Sequence, residues 1–163
     1  MGAMTETNSA TRVIDASAKD IFDILSNPAR HPETDNSGMV VSLDQGDRIQ
    51  AVGDTFTMNM TKEDGDYQTR NEVFAFQENK VIGWQNVENT TAEVKVGAKW
   101  LYELESEGSD STRVTLTYDR SEIELDNVRK MSEENFTDEV MEESLSALAA
   151  AVDGTDNPTQ KSS

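Results

Sequence analysis

The sequence of 163 residues contains no cysteine, only three prolines and a single histidine. The lack of cysteine excludes disulfide bonds, thiolate nucleophiles and cysteine-ligated zinc sites. No stretch approaches the ~20 consecutive apolar residues that a membrane-spanning helix requires. A signal peptide needs a basic start followed by an apolar core, and residues 4–12 have neither, so we expect a cytoplasmic protein.

Basic residues are also scarce, since 14 Lys and Arg stand against 32 Asp and Glu and leave a net charge of −18. Nucleic-acid binding and stable attachment to anionic membranes both depend on positive charge. The sequence therefore predicts no nucleic-acid partner and no stable membrane association. Two readings of the acidic surface stay open: adaptation to a salt-rich habitat, or contact with a basic partner. Neither bears on the fold.

The length fits one domain with a core of its own. Residues 1–8 are predicted to be a cloning remnant followed by a disordered N-terminus. Residues 153–163 are small and polar, which predicts a disordered tail. The folded domain is expected to span residues 9–152.

The patterning changes period along the chain. An alternating, β-branched stretch at 11–16 predicts a strand, and Ser17 is a candidate N-cap for a short helix that the break at Pro28 ends. One or two further helical turns are expected before a turn at 35–38. Residues 39–119 then follow period two, with hairpin-length gaps that favour antiparallel pairing. The predicted strands are 39–43, 54–61, 67–77, 81–86, 98–105 and 112–119, and residues 87–97 form an uncertain connection.

After Ser121 the spacing becomes helical and predicts one long C-terminal helix. Its apolar stripe is lost toward the N-terminus, where Glu134 and Thr137 occupy stripe positions, so we expect that half to face a wetter environment. The stripe consists of Met141, Leu145, Leu148 and Val152. Together these elements predict an α+β fold in which the helix covers one face of the sheet and leaves a concave space beside it.

Alternation assigns a set of aromatic and methionine side chains to the inner face of the sheet, including Phe56, Met58, Met60, Trp84 and Trp100. Such a set suits either an apolar binding pocket or a filled core. On strand 67–77 we place Phe74 and Phe76 inside, because exposing them forgoes ~1.5–3 kcal/mol each. That register carries Glu72 inside as well, with Arg70 at the margin. Glu72 is then either in an ion pair with Arg70 or another basic side chain at the rim, or a polar or acid–base group in a pocket.

No P-loop, dinucleotide-binding glycine pattern, EF-hand loop or serine-nucleophile elbow is present. One histidine with scattered carboxylates makes a poor metal site, so no metal and no cofactor are predicted.

Residues 11–38, TRVIDASAKDIFDILSNPARHPETDNSG, resemble the opening of the START-like superfamily (SRPBCC, Bet v 1-like), in its polyketide cyclase/dehydrase and lipid-transport branch. Weaker signatures of that branch are matched at 52–58, 78–84, 111–121 and 141–152. The resemblance implies a helix-grip fold, in which a curved antiparallel sheet of about seven strands wraps around the C-terminal helix. It also implies a cavity between sheet and helix. Thr34 stands where relatives usually carry tryptophan, so we expect the contacts of that ring to be lost and the entrance to be wider.

The resemblance implies binding of a hydrophobic or aromatic small molecule, such as a lipid or polyketide, by a monomer or weak homodimer. His31 is expected to act mainly through capping and surface hydrogen bonding near one mouth of the cavity. Two other functions stay open: a cyclase, dehydratase or aromatase with Glu72, His31 and Tyr102 as weak catalytic candidates, and a protein-interaction module like the branch that assists a chaperone ATPase. The predicted ligand-binding residues are Phe56, Met58, Met60, Phe74, Phe76, Ile82, Trp84, Trp100, Tyr102, Leu116, Tyr118, Phe136, Val140 and Met141.

Overall fold

A computed structural model describes residues 6–34, 39–62 and 65–156. The sequence prediction of an α+β fold is confirmed. A 3-10 turn, Pro28–Arg30, precedes the second helix. The remaining elements, in chain order, are β1 (Thr7–Ile14), α1 (Ala18–Leu25), α2 (His31–Thr34), β2 (Val40–Gln45), β3 (Thr55–Lys62), β4 (Gly65–Gln77), β5 (Val81–Asn89), β6 (Val94–Lys95), β7 (Lys99–Gly108), β8 (Ser111–Asp119), α3 (Asp126–Asn135) and α4 (Asp138–Asp156).

The strands form one antiparallel sheet in the order β1-β8-β7-β5-β4-β3-β2, with β6 paired to the end of β5. Helix α4 packs against β1 and β8 and also against α1 and α2. It therefore covers one face of the sheet, which we name the inner face. This is the helix-grip arrangement that the sequence resemblance implies.

The core lies between β8 and α4. Val114 and Leu116 of β8 and Leu145 and Leu148 of α4 are all fully buried. Each such side chain stabilises the fold by roughly 1.5–3 kcal/mol relative to an exposed one. Helix α1 closes one end of this core and begins where the sequence predicts, because the Ser17 side chain accepts a hydrogen bond from the Asp20 amide at 3.1 Å.

The predicted long C-terminal helix is confirmed as α4, but the helical stretch after Ser121 is divided into two helices. The chain forms α3 and α4, separated at Phe136 and Thr137, where Phe136 leaves the helical region with φ −120° and ψ 74°. The Thr137 hydroxyl accepts a hydrogen bond from the Val140 amide, as an N-cap residue does. The loss of the apolar stripe at Thr137 and Glu134 thus marks a new helix start rather than a wetter half of one helix.

The predicted register of β4 is also wrong. Thr69, Asn71 and Val73 are buried, whereas Glu72 is exposed. A β-bulge between Val73 and Ala75 shifts the alternation, so Phe76 returns to the inner side and Phe74 stays outside.

The outer-face position of Phe74 depends on packing at Gly83. Phe74 lies on the outer face directly over this residue, where a Cβ atom would come within 2.8 Å of the Phe74 ring. The Lys99 ammonium lies 5.0 Å from the centre of the same ring. Packing against Gly83 and Lys99 is what lets an outer-face phenylalanine keep much of its surface covered.

Several strands differ in their bounds from the sequence prediction, β1 and β5 among them. Strand β1 spans Thr7–Ile14 and is paired with β8 along that whole length. Strand β5 continues to Asn89 and pairs with the two-residue β6, so the uncertain connection at 87–97 is partly sheet. The turn predicted at 35–38 lies outside the described residues.

Candidate functional site

The candidate site is a cavity of about 350 Å³ between the inner face of the sheet and helices α2, α3 and α4. Its volume lies within the range of about 300–1,000 Å³ that is typical of small-molecule sites. Most of its lining is apolar or aromatic, and α3 supplies Val128 and Met131 to one side.

Many of the residues that the sequence assigned to a pocket do line this cavity. On β3, alternation brings Phe56, Met58 and Met60 to the same face in one row. The predicted residues that line the cavity are Phe56, Met58, Met60, Trp84, Trp100, Tyr102, Tyr118 and Phe136.

The other predicted ligand-binding residues lie elsewhere among the described residues. Ile82, Leu116 and Met141 are fully buried and belong to the core. Phe76 packs edge-on against Phe22 of α1, with ring centres 5.4 Å apart. Val140 is half-buried and does not reach the cavity, and Phe74 lies on the outer face as described above.

The structure places Glu72 outside the cavity, on the exposed face of β4. Its neighbour on that face, Arg70, forms an ion pair at 3.6 Å with Glu88 rather than with Glu72. The expectation of an inward carboxylate is therefore wrong, because the odd-numbered residues of β4 occupy the inner face ahead of the bulge.

His31 is buried, contrary to the expectation of surface hydrogen bonding. Its ring stacks on Trp84, with centres 4.4 Å apart, and meets Phe56 edge-on. Its Nε2 lies 2.9 Å from the Leu25 carbonyl oxygen, so Nε2 carries the proton and donates, and Nδ1 is left as an acceptor. His31 thus ties the end of α1 to the aromatic wall of the cavity, which agrees with the prediction of an architectural role.

Burial lowers the pKa of His31 to about 4, although the hydrogen bond to the Leu25 carbonyl acts in the opposite direction. The imidazole is therefore neutral at neutral pH. In the unfolded chain the His31 side chain has its ordinary pKa of 6.5. Between pH 6.5 and about 4 the unfolded state therefore binds a proton that the folded state does not bind. The contribution of His31 to the free energy of unfolding is fully present above pH 6.5 and is lost progressively as the pH falls toward 4.

His31→Gln is expected to remove much of this acid sensitivity, since glutamine can still donate to the Leu25 carbonyl but does not titrate. Between pH 7.5 and 4.5 the wild type should lose roughly 2–3 kcal/mol more of its unfolding free energy than the variant. Urea unfolding at both pH values measures the difference. The carboxylates are common to both proteins and cancel, and His31 is the only histidine. Equal losses in the two proteins would contradict the buried, neutral state.

A second group of rings comprises Trp100, Tyr118 and Phe136. Their centres lie 4.8–5.3 Å apart, and Tyr118 stacks on Phe136 at the junction of α3 and α4. Burial raises the pKa of Tyr118 to about 12, against the opposing effects of a hydrogen bond with Ser132 and of the Arg120 charge. Its phenol is therefore protonated at neutral pH.

A polar cluster on the inner face was missed by the sequence analysis. It consists of Thr69, Asn71, Asn86 and Asn89, which all line the cavity. Asn71 donates to the backbone oxygens of Thr69 and Phe56 and accepts from Asn86, whose own side-chain oxygen accepts from the Trp100 indole at 2.9 Å. Polar residues at inward positions do not fit the hydrophobic alternation that identifies an inner face. Only the opposite register of strand 67–77 would have placed Thr69 and Asn71 inside.

Charged groups are scarce around the cavity. Among the described residues that line it, none is an aspartate or glutamate, and Lys62 is the one permanently charged side chain. Its ammonium lies 5.2 Å from the centre of the Tyr67 ring. Within the described ranges, no three His, Asp or Glu side chains are grouped as metal ligands would be. None of the helices in the same part of the chain is long and apolar enough to span a membrane.

Comparison with known protein families matches residues 5–153 to the family described as polyketide cyclase / dehydrase and lipid transport. The chain belongs to this family. The match covers nearly all of the sheet and helices that enclose the cavity, and it confirms the resemblance found in the sequence.

The chain is also similar to a curated relative and to solved structures. "Uncharacterized protein Rv0088" of Mycobacterium tuberculosis is 31% identical over 104 residues, which are 64% of this chain and 43% of that protein. The chain thus matches less than half the length of this curated relative. Two solved structures share its fold. One is a protein from Arthrobacter aurescens, with a TM-score of 0.70 and 15% identity over 91% of this chain and 86% of the other. The other is the Zhui aromatase/cyclase from Streptomyces sp. R1128, with a TM-score of 0.68 and 11% identity over 91% and 93%.

Proposed function

We propose that this member of the polyketide cyclase / dehydrase and lipid transport family binds a hydrophobic or aromatic small molecule, without transforming it, in the cavity between the sheet and the helices. The observation that carries the proposal is the cavity of about 350 Å³ with its lining of aromatic and thioether side chains. Methionines adapt to ligands of differing shape, and aromatic rings offer large apolar faces with a few polar tips.

The chemistry of the lining supports binding over catalysis. Cyclisation and dehydration need groups that give and take protons near neutral pH. In the described lining, His31 is held neutral by burial and Tyr118 keeps its proton, while Glu72 lies on the outside. Of the three weak catalytic candidates, only Tyr102 and His31 reach the cavity.

The open space also supports a small-molecule ligand over a protein partner. A protein-interaction module of this fold could fill its interior and present an apolar patch outside, whereas here the interior stays open. A monomeric or weakly dimeric state and a cytoplasmic location remain predictions from the sequence.

Uptake of the neutral fluorophore N-phenyl-1-naphthylamine tests the proposal. We expect saturable binding of one molecule per chain, with a blue-shifted and enhanced emission, because the ring system leaves water for an apolar cavity. Native mass spectrometry of protein purified from its own host should also show a co-purified small molecule.

Glu72→Gln is the matched control, since this carboxylate lies outside the cavity and its loss should leave uptake unchanged. A linear, non-saturating fluorescence response together with a mass spectrum of the bare chain would contradict the proposal.

A further inference from the structure

We infer that the polar cluster of Thr69, Asn71, Asn86 and Asn89 is a specificity subsite that selects a neutral ligand bearing a hydrogen-bond acceptor oxygen, such as a carbonyl. The inference rests on the proposed function, because it concerns one wall of the same cavity. It adds that one end of the ligand is polar, that this end carries an acceptor oxygen, and that the side chains of the polar cluster bind it.

A β-bulge creates the cluster. Thr69 pairs with Asn89 and Asn71 pairs with Asn86 across β4 and β5, with Val87 as the extra residue between them. Without the bulge, Asn86 and Asn89 would point to opposite faces of the sheet. With it, both join Thr69 and Asn71 on the inner face, where Thr69, Asn71 and Asn89 are only 2–8% exposed. The outcome is two adjacent cross-strand pairs that are polar within an otherwise apolar wall.

The orientation of the amides follows from their partners. The indole of Trp100 is only a donor, so the oxygen of Asn86 must face it and the nitrogen of Asn86 must face Asn71. The backbone amide of Ala92 is likewise only a donor and lies 3.0 Å from the oxygen of Asn89. Both side-chain oxygens are therefore engaged by the protein.

The hydrogen-bond donors of the cluster, in contrast, remain available to a ligand. Asn71 uses both of its N–H groups on backbone oxygens, but Asn86 uses one for Asn71 and keeps a second. In the described part of the chain, neither the amide nitrogen of Asn89 nor the hydroxyl of Thr69 makes a hydrogen bond to protein, and both residues line the cavity. These donors face the open space of the cavity, where a ligand oxygen can accept hydrogen bonds from them.

A neutral acceptor oxygen suits these donors best. The cluster contains no charged side chain, so an ionised ligand group placed there would be desolvated without a counter-charge. A hydrocarbon placed there would leave the donors unpaired, and a site built to hydrogen-bond its ligand discriminates against the analogue that lacks the polar group. The apolar remainder of the ligand then lies against the methionines of β3 and the rings of the opposite walls.

Competition between fluorene and 9-fluorenone tests the inference. The two share one tricyclic skeleton, and only the second carries a carbonyl oxygen. Each is used to displace N-phenyl-1-naphthylamine, and the measured quantity is the ratio of their dissociation constants within one protein. We expect 9-fluorenone to bind the wild type roughly tenfold more tightly, as one net hydrogen bond allows. In Thr69→Val/Asn89→Leu the ratio should fall to about one.

A general change in the cavity affects both dissociation constants equally and cancels in their ratio. A folded variant that binds both compounds more weakly is therefore still informative. Thr69→Val alone is nearly isosteric and serves if the double variant does not fold; it should lower the ratio in the same direction. Thr57→Val makes the same change on the outer face of β3 and should leave the ratio at its wild-type value.

A wild-type ratio near one, with both compounds displacing the fluorophore, would overturn the inference and leave the proposed function standing. A ratio unchanged by the substitutions would show that the polar cluster does not select the ligand. Failure of the wild type to take up the fluorophore at all would instead overturn the proposed function itself.

Discussion

Val128→Trp is expected to weaken uptake of N-phenyl-1-naphthylamine at least roughly tenfold, or by about 1.4 kcal/mol. Val128 lies on α3 with its side chain on the cavity. An indole built from this position enters a space of about 350 Å³ and leaves too little of it for a bicyclic fluorophore. Valine and tryptophan have similar helix propensities, so α3 itself should persist.

The fold should tolerate this substitution because the new ring occupies space that is empty, and filling a cavity tends to preserve or raise stability. Lys130→Trp is the matched control: it adds the same ring to the exposed face of the same helix. Its uptake and melting temperature should match those of the wild type. Unweakened uptake by Val128→Trp, with the control also unchanged, would mean that the fluorophore binds somewhere other than this cavity.

Arg120→Met is expected to lower the free energy of unfolding by about 3–5 kcal/mol. Arg120 is 1% exposed and joins three parts of the chain. Its guanidinium donates to Ser132 Oγ at 3.1 Å, to the Phe136 carbonyl at 3.0 Å and to the side-chain oxygen of Asn8. Methionine fills a similar volume but leaves these buried acceptors without a donor.

Arg113→Met supplies the comparison, on the strand β8 that ends just before Arg120. Arg113 is exposed and its ion pair with Glu107, at 3.0 Å, is of the surface kind that contributes about 0–1 kcal/mol. Urea unfolding of both variants measures the contrast. A loss in Arg120→Met no larger than that in Arg113→Met would show that the buried guanidinium does not hold β1, β8 and the α3–α4 junction together.

The fold was largely predictable because its signals are periodic and local. The alternating positions Phe56, Met58 and Met60 specify an inward row on one strand, and Ser17 marks a helix start that the structure confirms. Signals that depend on irregularity were missed. The loss of the apolar stripe at Thr137 is a local sign of the break before α4, but nothing local announces the bulge that β4 carries after Val73.

The candidate site was predictable only in its apolar half. Apolar side chains at alternating positions indicate which face of a strand is buried. This pattern identifies Trp84, Trp100 and Tyr102. Asn71, Asn86 and Asn89 were not found, because a buried amide is tolerated only when partners from other strands satisfy it. His31 looked like a surface residue for a similar reason. Its burial depends on stacking against Trp84, which is distant in the chain, and on a hydrogen bond to the Leu25 carbonyl.

By itself, the sequence determined the family, the order of strands and helices and the apolar character of the cavity wall, since these follow from residue types repeated at regular spacing. The tertiary structure decided which face Glu72 takes and which amides reach the cavity. Those outcomes turn on β-bulges and on hydrogen bonds between distant strands. Such features shift a side chain from one face to the other by a single residue, and no local pattern encodes them.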